Sequence, residues 1–240
     1  MRPDTATRPA RDLAAVLHPR GVPTAFVLAL VPAAAALNIV AGSVQVALSL
    51  PVFLDMIGTC VAAILLGPWW GALVGVMTGL GAGILRGPTE IPFGLANAAG
   101  ALVWGYGIRS LGLGRWRLGF FGLNLATGIV VSGIAGVIAF FVFGGATGHP
   151  SDVITVALVQ AGQELLTAVL ASSTIAGVAD KIISGYVALA IIGALPPDLS
   201  AGIALPRDEG LRRVLLVSAG IVAAIAVVIV YLLAFPPAPA

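Results

Sequence analysis

The chain has 240 residues, of which 59% are hydrophobic and only 9% are charged, and its formal net charge at pH 7 is +2. Soluble domains average about 45–50% apolar and about 25% charged residues, so this chain has too few polar side chains to cover a water-soluble globule. The presence of one cysteine, Cys60, excludes an intrachain disulfide. The composition predicts an all-α, polytopic membrane helical bundle.

Residues 1–20 contain arginines and prolines but no long apolar stretch, which predicts a cytoplasmic tail or a short interfacial helix. A transmembrane helix needs about 20 mainly apolar residues, and several runs approach that length. The runs lie at 22–40, 52–67, 69–85, 91–108, 120–143, 153–195 and 211–235. We expect a membrane domain at 21–198 with a six-helix core, then a polar linker and an additional C-terminal transmembrane helix at 199–240.

The run at 153–195 is too long for one simple span and contains the charged pair Asp180-Lys181. It fits either a surface or membrane-dipping helix at about 153–172 followed by a span at 176–195, or two complete spans. Two spans would place the arginines of the C-terminal linker outside the cell. We expect the first arrangement, because it keeps those arginines on the cytoplasmic side.

Basic residues are distributed unevenly among the loops. The N-terminal tail contains four arginines and the loop after the fourth run contains three more, whereas the loops at 41–50, 86–90 and 144–152 together contain only Arg86. Short cytoplasmic loops carry the excess of Lys and Arg. The N-terminus is therefore predicted to be cytoplasmic, and these three loops are predicted to face outside.

Small residues recur at helical spacing in several runs. The third run has glycines four residues apart, which favours close packing of helices in lipid. In the first run Ala25, Ala29 and Ala33 form one smooth face. That face serves either internal packing or docking of another membrane protein, and the spacing alone does not decide between them.

Polar side chains at membrane depth are costly and mark functional or paired positions. The predicted topology places six of them in the outer half of the bilayer, where they are candidates for substrate binding. They are Asn38, Gln45, Asp55, Asn97, Asp180 and Lys181. Convergence of polar groups from several helices at one depth is typical of a small-molecule site.

These candidates also have structural interpretations. Asp55 lies where a carboxylate would stabilise the N-terminus of its own helix. Asp180 and Lys181 are adjacent, so they should point about 100° apart on a helix and find partners elsewhere. One such partnership is Asp55 with Lys181, and it could be an interhelix ion pair or part of a ligand contact. Glu164 belongs to a further polar patch, which fits the exposed face of a surface helix.

Several chemistries have no support in the sequence. The chain lacks a phosphate-binding loop of the form GxxxxGK[ST] and a GxSxG nucleophile motif. Its two histidines, His18 and His149, do not have a metal-binding spacing. We therefore predict no enzymatic activity, no metal and no cofactor. The four tryptophans are expected to form an interfacial belt rather than a stacking site.

Four segments together resemble the substrate-binding S components of energy-coupling factor (ECF) vitamin transporters. They are residues 50–83, residues 88–93 (PTEIPF), residues 141–148 (FVFGGATG) and residues 180–196 (DKIISGYVALAIIGALP). The resemblance covers about residues 22–198. The additional C-terminal helix departs from the six-helix pattern of the family.

The resemblance implies a subunit in the cell membrane that captures a vitamin or related micronutrient from outside. Its implied partners are a transmembrane scaffold subunit and two cytosolic ATPases, which drive uptake. The loops at 41–50, 86–90 and 144–152 correspond to those that close over the ligand in the family, and the face of Ala25, Ala29 and Ala33 corresponds to its docking surface. The alternative is a membrane sensor or interaction module without transport activity.

Overall fold

A computed structural model describes residues 22–50, 52–200 and 202–206. Within these ranges the chain forms seven α-helices and no strand. The helices are α1 (Thr24–Ala47), α2 (Ile57–Leu65), α3 (Pro68–Arg86), α4 (Phe93–Arg109), α5 (Arg117–Phe143), α6 (Asp152–Gln160) and α7 (Leu165–Ala194). Short 3₁₀ turns occupy Pro88–Glu90, Leu113–Arg115 and Pro197–Ser200. The predicted N-terminal tail and C-terminal transmembrane helix lie outside the described residues.

Five of these helices are long and apolar enough to cross a membrane: α1, α3, α4 with its preceding turn, α5 and α7. The prediction of an all-helical chain with several membrane-spanning helices is confirmed at that level. The run at 52–67, expected to be a span, contains only the nine residues of α2. At its normal rise α2 is roughly 14 Å long, less than half of the roughly 30 Å of a hydrocarbon core.

The short helix α2 lies inside the bundle. All nine of its residues are buried, and it packs on α1, α3, α4 and α7. The last carbonyl groups of a helix have no intrahelical partner. Here the Arg109 guanidinium of α4 donates hydrogen bonds to the carbonyls of Ile64 at 3.1 Å and Leu65 at 2.6 Å. The C-terminus of α2 can lie inside the bundle because Arg109 of α4 satisfies its carbonyl groups.

Glycines bring the long helices into backbone contact. A Cβ atom placed on Gly79 of α3 would lie 2.7 Å from the Cα of Gly94 in α4, and one on Gly128 of α5 would lie 2.7 Å from the Cα of Val178 in α7. Larger residues at these positions would push the helices apart. The close packing predicted from the glycines of the third run is confirmed at Gly79.

The run at 153–195 is divided differently from the prediction. The break lies at residues 161–164, where Gly162 has a φ of 88°, so that α6 has only nine residues and α7 has 30. The expected boundary between residues 172 and 176 was wrong. Asp180 and Lys181 do not interrupt the helix, because both side chains are buried within it and paired there.

The tryptophans do not form one interfacial group. Trp69 and Trp116 are 51% and 60% exposed, which suits a position at the edge of the bilayer. Trp104 is completely buried, and its Nε1 donates a hydrogen bond of 2.8 Å to Oδ1 of Asn124 in α5. The predicted belt was wrong for Trp104, because a partner for its N–H lies inside the bundle.

Candidate ligand-binding site

A cavity of about 120 Å³ lies where the chain segments following α1, α3 and α5 meet. Helices α4, α5, α6 and α7 provide the rest of its wall. Its charged lining residues are Asp55, Glu90, Asp152 and Lys181, and its aromatic lining residues are Phe53, Phe93, Phe143 and His149. The segments at 53–56, 89–90 and 145–152 thus converge on one space, and two of them overlap loops expected to cover a ligand. No side chain of the loop at 41–50 lines it.

Lys181 is the cation of the cavity wall. Its side chain is only 2% exposed, and its Nζ donates a hydrogen bond to Oδ2 of Asp180 and lies 3.9 Å from Oδ1 of Asp55. The Nζ also lies 5.6 Å from the centre of the Phe53 ring. The expectation that adjacent Asp180 and Lys181 would not pair was wrong. The flexible four-carbon stem of lysine lets the ammonium group fold back onto the neighbouring carboxylate.

Asp180 lies behind the cavity wall and holds the irregular segment before α2. Its Oδ1 accepts hydrogen bonds from the backbone N–H groups of Phe53 at 3.2 Å and Leu54 at 2.6 Å. Leu54 has a φ of 57°, a conformation that non-glycine residues rarely adopt. Backbone without regular structure is tolerated inside an apolar bundle only where its polar groups find partners. Asp180 is therefore a positioning residue.

Asn38 joins three helices. Its Nδ2 donates to Oγ1 of Thr59 at 2.8 Å and of Thr78 at 3.0 Å, while its Oδ1 accepts from the backbone N–H of Gly58 at 2.6 Å. The side chain is fully buried and does not line the cavity. Asn38 connects α1 to α2 and α3, which is a packing role.

Asn97 and Gln45 differ in position. Asn97 of α4 lines the cavity, accepts a hydrogen bond from Thr59 at 2.6 Å and donates one of 3.0 Å to the backbone carbonyl of Asp55. Gln45 donates a hydrogen bond of 2.6 Å to the carbonyl of Leu50 and so fixes the turn after α1. Of the six candidates, Asp55, Asn97 and Lys181 line the cavity, whereas Asn38, Gln45 and Asp180 hold its surroundings in place.

His149 lies over the cavity and was not among the candidates. Its ring stacks on Phe53 with 4.3 Å between centroids and 27° between planes. The backbone N–H of Ser151 donates to its Nδ1 at 3.1 Å, which assigns the ring proton to Nε2. Burial lowers the pKa of His149 from 6.5 to about 4, against the opposing effect of Asp152. The imidazole is therefore neutral at pH 7.

The sequence did contain a signal for His149. It lies in the loop at 144–152, which the resemblance implies closes over the ligand, and that position alone marks it as a candidate. The connection itself is held by Asp152, whose carboxylate accepts hydrogen bonds from the backbone N–H groups of Thr147 at 2.8 Å and Gly148 at 2.7 Å. These contacts place the imidazole at the cavity.

Three buried polar atoms on the cavity wall have no hydrogen-bond partner among the described residues: Asp55 Oδ1, Ser132 Oγ and His149 Nε2. An unsatisfied buried polar group costs about 1–3 kcal/mol. One acceptor, one hydroxyl and one N–H donor on residues that line a common space are groups for which a polar ligand or an ordered water would supply partners.

Comparisons with models of known protein families, with curated proteins and with solved structures gave no match to this chain. In the described part of the chain, no group of three or more His, Cys, Asp or Glu side chains is arranged to hold a metal ion. The interpretation of the cavity therefore depends on its own geometry. That geometry provides hydrogen bonds, charge and flat aromatic surfaces for a small organic molecule.

The alanine face of α1 lies away from the cavity. Ala25, Ala29 and Ala33 are all exposed on the described part of the molecule. Residues of the opposite side of the helix, including Val27 and Val31, are buried against the bundle. The described helices thus leave the alanine face uncovered.

Proposed function

We propose that this chain is a membrane-embedded substrate-binding subunit, the S component of an ECF-type importer, which captures a vitamin or related micronutrient. The observation that carries the proposal is the cavity beneath the connections after α3 and α5, with three unpartnered polar atoms on its wall. Three of the five unpartnered buried polar atoms among the described residues belong to residues that line this cavity, and the other two belong to Asn124 and Ser184. Polar groups that converge on one pocket are what a binding protein uses to recognise its ligand.

The distribution of charge supports entry of the ligand from outside. The segments around the cavity belong to the side of the molecule whose loops contain only Arg86 as a basic residue. The opposite side includes Arg109, Arg115 and Arg117. By the preference of basic residues for the cytoplasmic side, the cavity faces outward and the N-terminus is cytoplasmic in the cell membrane.

The alanine face, which the described helices leave uncovered, supports association with a second membrane protein. Small side chains let another helix approach closely where lipid provides no hydrophobic driving force. The chain has no phosphate-binding loop of its own, so ATP would be hydrolysed by partner subunits. A transmembrane scaffold and two cytosolic ATPases are the partners that this function requires.

Mass spectrometry of small molecules that purify with the protein tests the binding function. The wild-type protein should retain one compound at near-stoichiometric amounts through purification in mild detergent. Ala135→Phe should lose it, because Ala135 of α5 lines the cavity and the larger ring would fill it. Val137→Phe is the matched control, since Val137 lies on the same helix and is 46% exposed.

The proposal predicts retention in the control and loss in the cavity variant. Equal retention by Ala135→Phe and Val137→Phe would place the compound elsewhere on the molecule. An empty wild-type protein that also fails to bind any compound from a cell extract would contradict the binding function. Circular dichroism of each variant shows whether it has kept its helical fold.

A further inference from the structure

We infer that the ligand is a single-ring organic cation, and that Asp55 is its counter-ion. This inference depends on the proposed binding function and specifies the chemistry of the molecule bound. It is based on which of the carboxylates around the cavity have hydrogen-bonded partners and which one has an oxygen without any.

Three of the four carboxylates around the cavity are satisfied within the protein. Glu90 pairs with Arg86 at 3.2 Å. Asp152 accepts two backbone hydrogen bonds, and Asp180 accepts two more as well as one from Lys181. Each of these charges is held by groups that form part of the fold.

Asp55 is the carboxylate that remains. Its Oδ1 is buried and has no hydrogen-bond partner among the described residues. Its nearest cation, Lys181, is 3.9 Å away and already bonded to Asp180. A buried carboxylate oxygen is stable when it accepts hydrogen bonds from charged donors. A ligand with a cationic N–H group would supply that donor.

An anionic ligand fits poorly at the same place. Lys181 already lies between two carboxylates, Asp180 at hydrogen-bond distance and Asp55 at 3.9 Å, which offset its single positive charge. The anion would also face Asp55, Glu90 and Asp152 across the cavity. His149 adds no positive charge, because its imidazole is neutral at pH 7. Like charges brought together without solvent repel strongly.

The size and lining of the cavity indicate a single flat ring. Its volume of about 120 Å³ is close to that of an engineered cavity of about 150 Å³ in another protein, which holds one benzene. The rings of Phe93 and Phe143 are nearly parallel, with 11° between planes and 5.8 Å between centroids. Val131 and Ala139 provide apolar wall. Aromatic side chains and a nearby carboxylate together suit a flat cation.

Three probes of nearly equal shape test this inference: benzamidine, which is cationic at pH 7, benzamide, which is neutral, and benzoate, which is anionic. Binding to the full-length protein in lipid nanodiscs can be measured by titration calorimetry or saturation-transfer NMR. Benzamidine should bind at least about tenfold more tightly than either of the others, as expected for a charged hydrogen bond. Asp55→Asn should remove this preference. Glu164→Gln, which changes an exposed carboxylate that does not line the cavity, should keep it.

The outcomes separate this inference from the proposed function. Benzamide or benzoate binding as tightly as benzamidine would overturn the cationic ligand and leave the binding function intact. If none of the probes binds although a compound purifies with the wild-type protein, the single-ring site is wrong and the binding function stands. The comparison of the three probes uses the wild-type protein, so it remains decisive if Asp55→Asn does not fold.

Discussion

The ring of His149 lies on the ring of Phe53, with 4.3 Å between their centroids. This contact joins the connection after α5 to the irregular segment before α2, two parts of the chain that are almost 100 residues apart. It forms part of the cover of the cavity. Under the proposed function, loosening this contact would ease the exchange of ligand with solvent.

Loss of the stacking contact should speed ligand release. Stacked aromatic pairs contribute about 0.5–1.5 kcal/mol beyond the area they bury, so Phe53→Leu should raise the dissociation rate of the co-purified compound by a few-fold to about tenfold. The rate can be followed by rapid dilution and filtration. Phe141→Leu is the matched control, since Phe141 is 73% exposed and does not line the cavity. Equal rates in the two variants would exclude a role for the stack in retention.

Acid should destabilise the protein through His149. The pKa of this partly buried imidazole is lowered from 6.5 to about 4, so between these pH values the unfolded chain binds a proton that the folded chain does not. The free energy of unfolding therefore decreases as the pH falls through this window. His149→Phe keeps an aromatic ring without a titrating group. Its thermal midpoint should fall less than that of the wild type between about pH 7 and pH 4.5, and parallel curves would contradict this.

Removal of Asp180 should destabilise the fold. Asp180→Ala leaves Lys181 buried without its hydrogen-bonded partner and deprives the N–H groups of Phe53 and Leu54 of their acceptor. Breaking one side of a buried pair costs about 3–5 kcal/mol. Thermal unfolding in detergent measures the loss. Asp180→Ala combined with Lys181→Met should recover part of it, because no uncompensated charge remains, and a double variant no more stable than the single one would contradict this explanation.

Asn38 should matter for stability and little for ligand selectivity. Asn38→Ala leaves the N–H of Gly58 without its acceptor and removes two hydrogen bonds to threonines. At about 1 kcal/mol for each bond, the free energy of unfolding should fall by roughly 2–3 kcal/mol. The relative affinities for benzamidine, benzamide and benzoate should stay as in the wild type. A changed order of affinities would show that Asn38 acts on the ligand.

Bulky residues on the alanine face should separate binding from uptake. Ala29→Trp with Ala33→Trp should abolish uptake by cells that express the partner subunits, while the purified variant still retains its compound. Leu28→Trp is the control, because Leu28 is 68% exposed and lies about 100° around the helix from Ala29. Loss of binding in the double variant would instead indicate that this face contributes to internal packing.

Composition and periodicity were enough to predict long apolar helices, but they could not predict the length of α2. The run at 52–67 is apolar throughout, and hydropathy does not distinguish a complete span from an irregular segment followed by a short buried helix. The irregular segment is held in place by Asp180, which lies more than 120 residues further along the chain and accepts hydrogen bonds from the backbone N–H groups of Phe53 and Leu54. A contact over that distance has no local signature in the sequence.

The sequence predicted only part of the candidate site, because the rest again depends on contacts between distant parts of the chain. Their predicted depth in the membrane identified Asp55 and Lys181 as a candidate pair, and in the structure their charged atoms lie 3.9 Å apart. Depth does not separate Asn38 from Asn97, because the two have the same side chain and differ only in the partners that neighbouring helices offer. The pairing of Asp180 with Lys181 depends on the bending of a long side chain, which helical geometry alone does not describe.

Phe53 contacts both the charged residues of α7 and the His149 ring. Its backbone is held by Asp180 from α7, and its ring lies 5.6 Å from the Lys181 ammonium and stacks on His149. A displacement of Phe53 would therefore disturb both its contacts with Asp180 and Lys181 and its stacking on His149. Under the proposed function, ligand entry and rearrangement of the charges would therefore be coupled through Phe53.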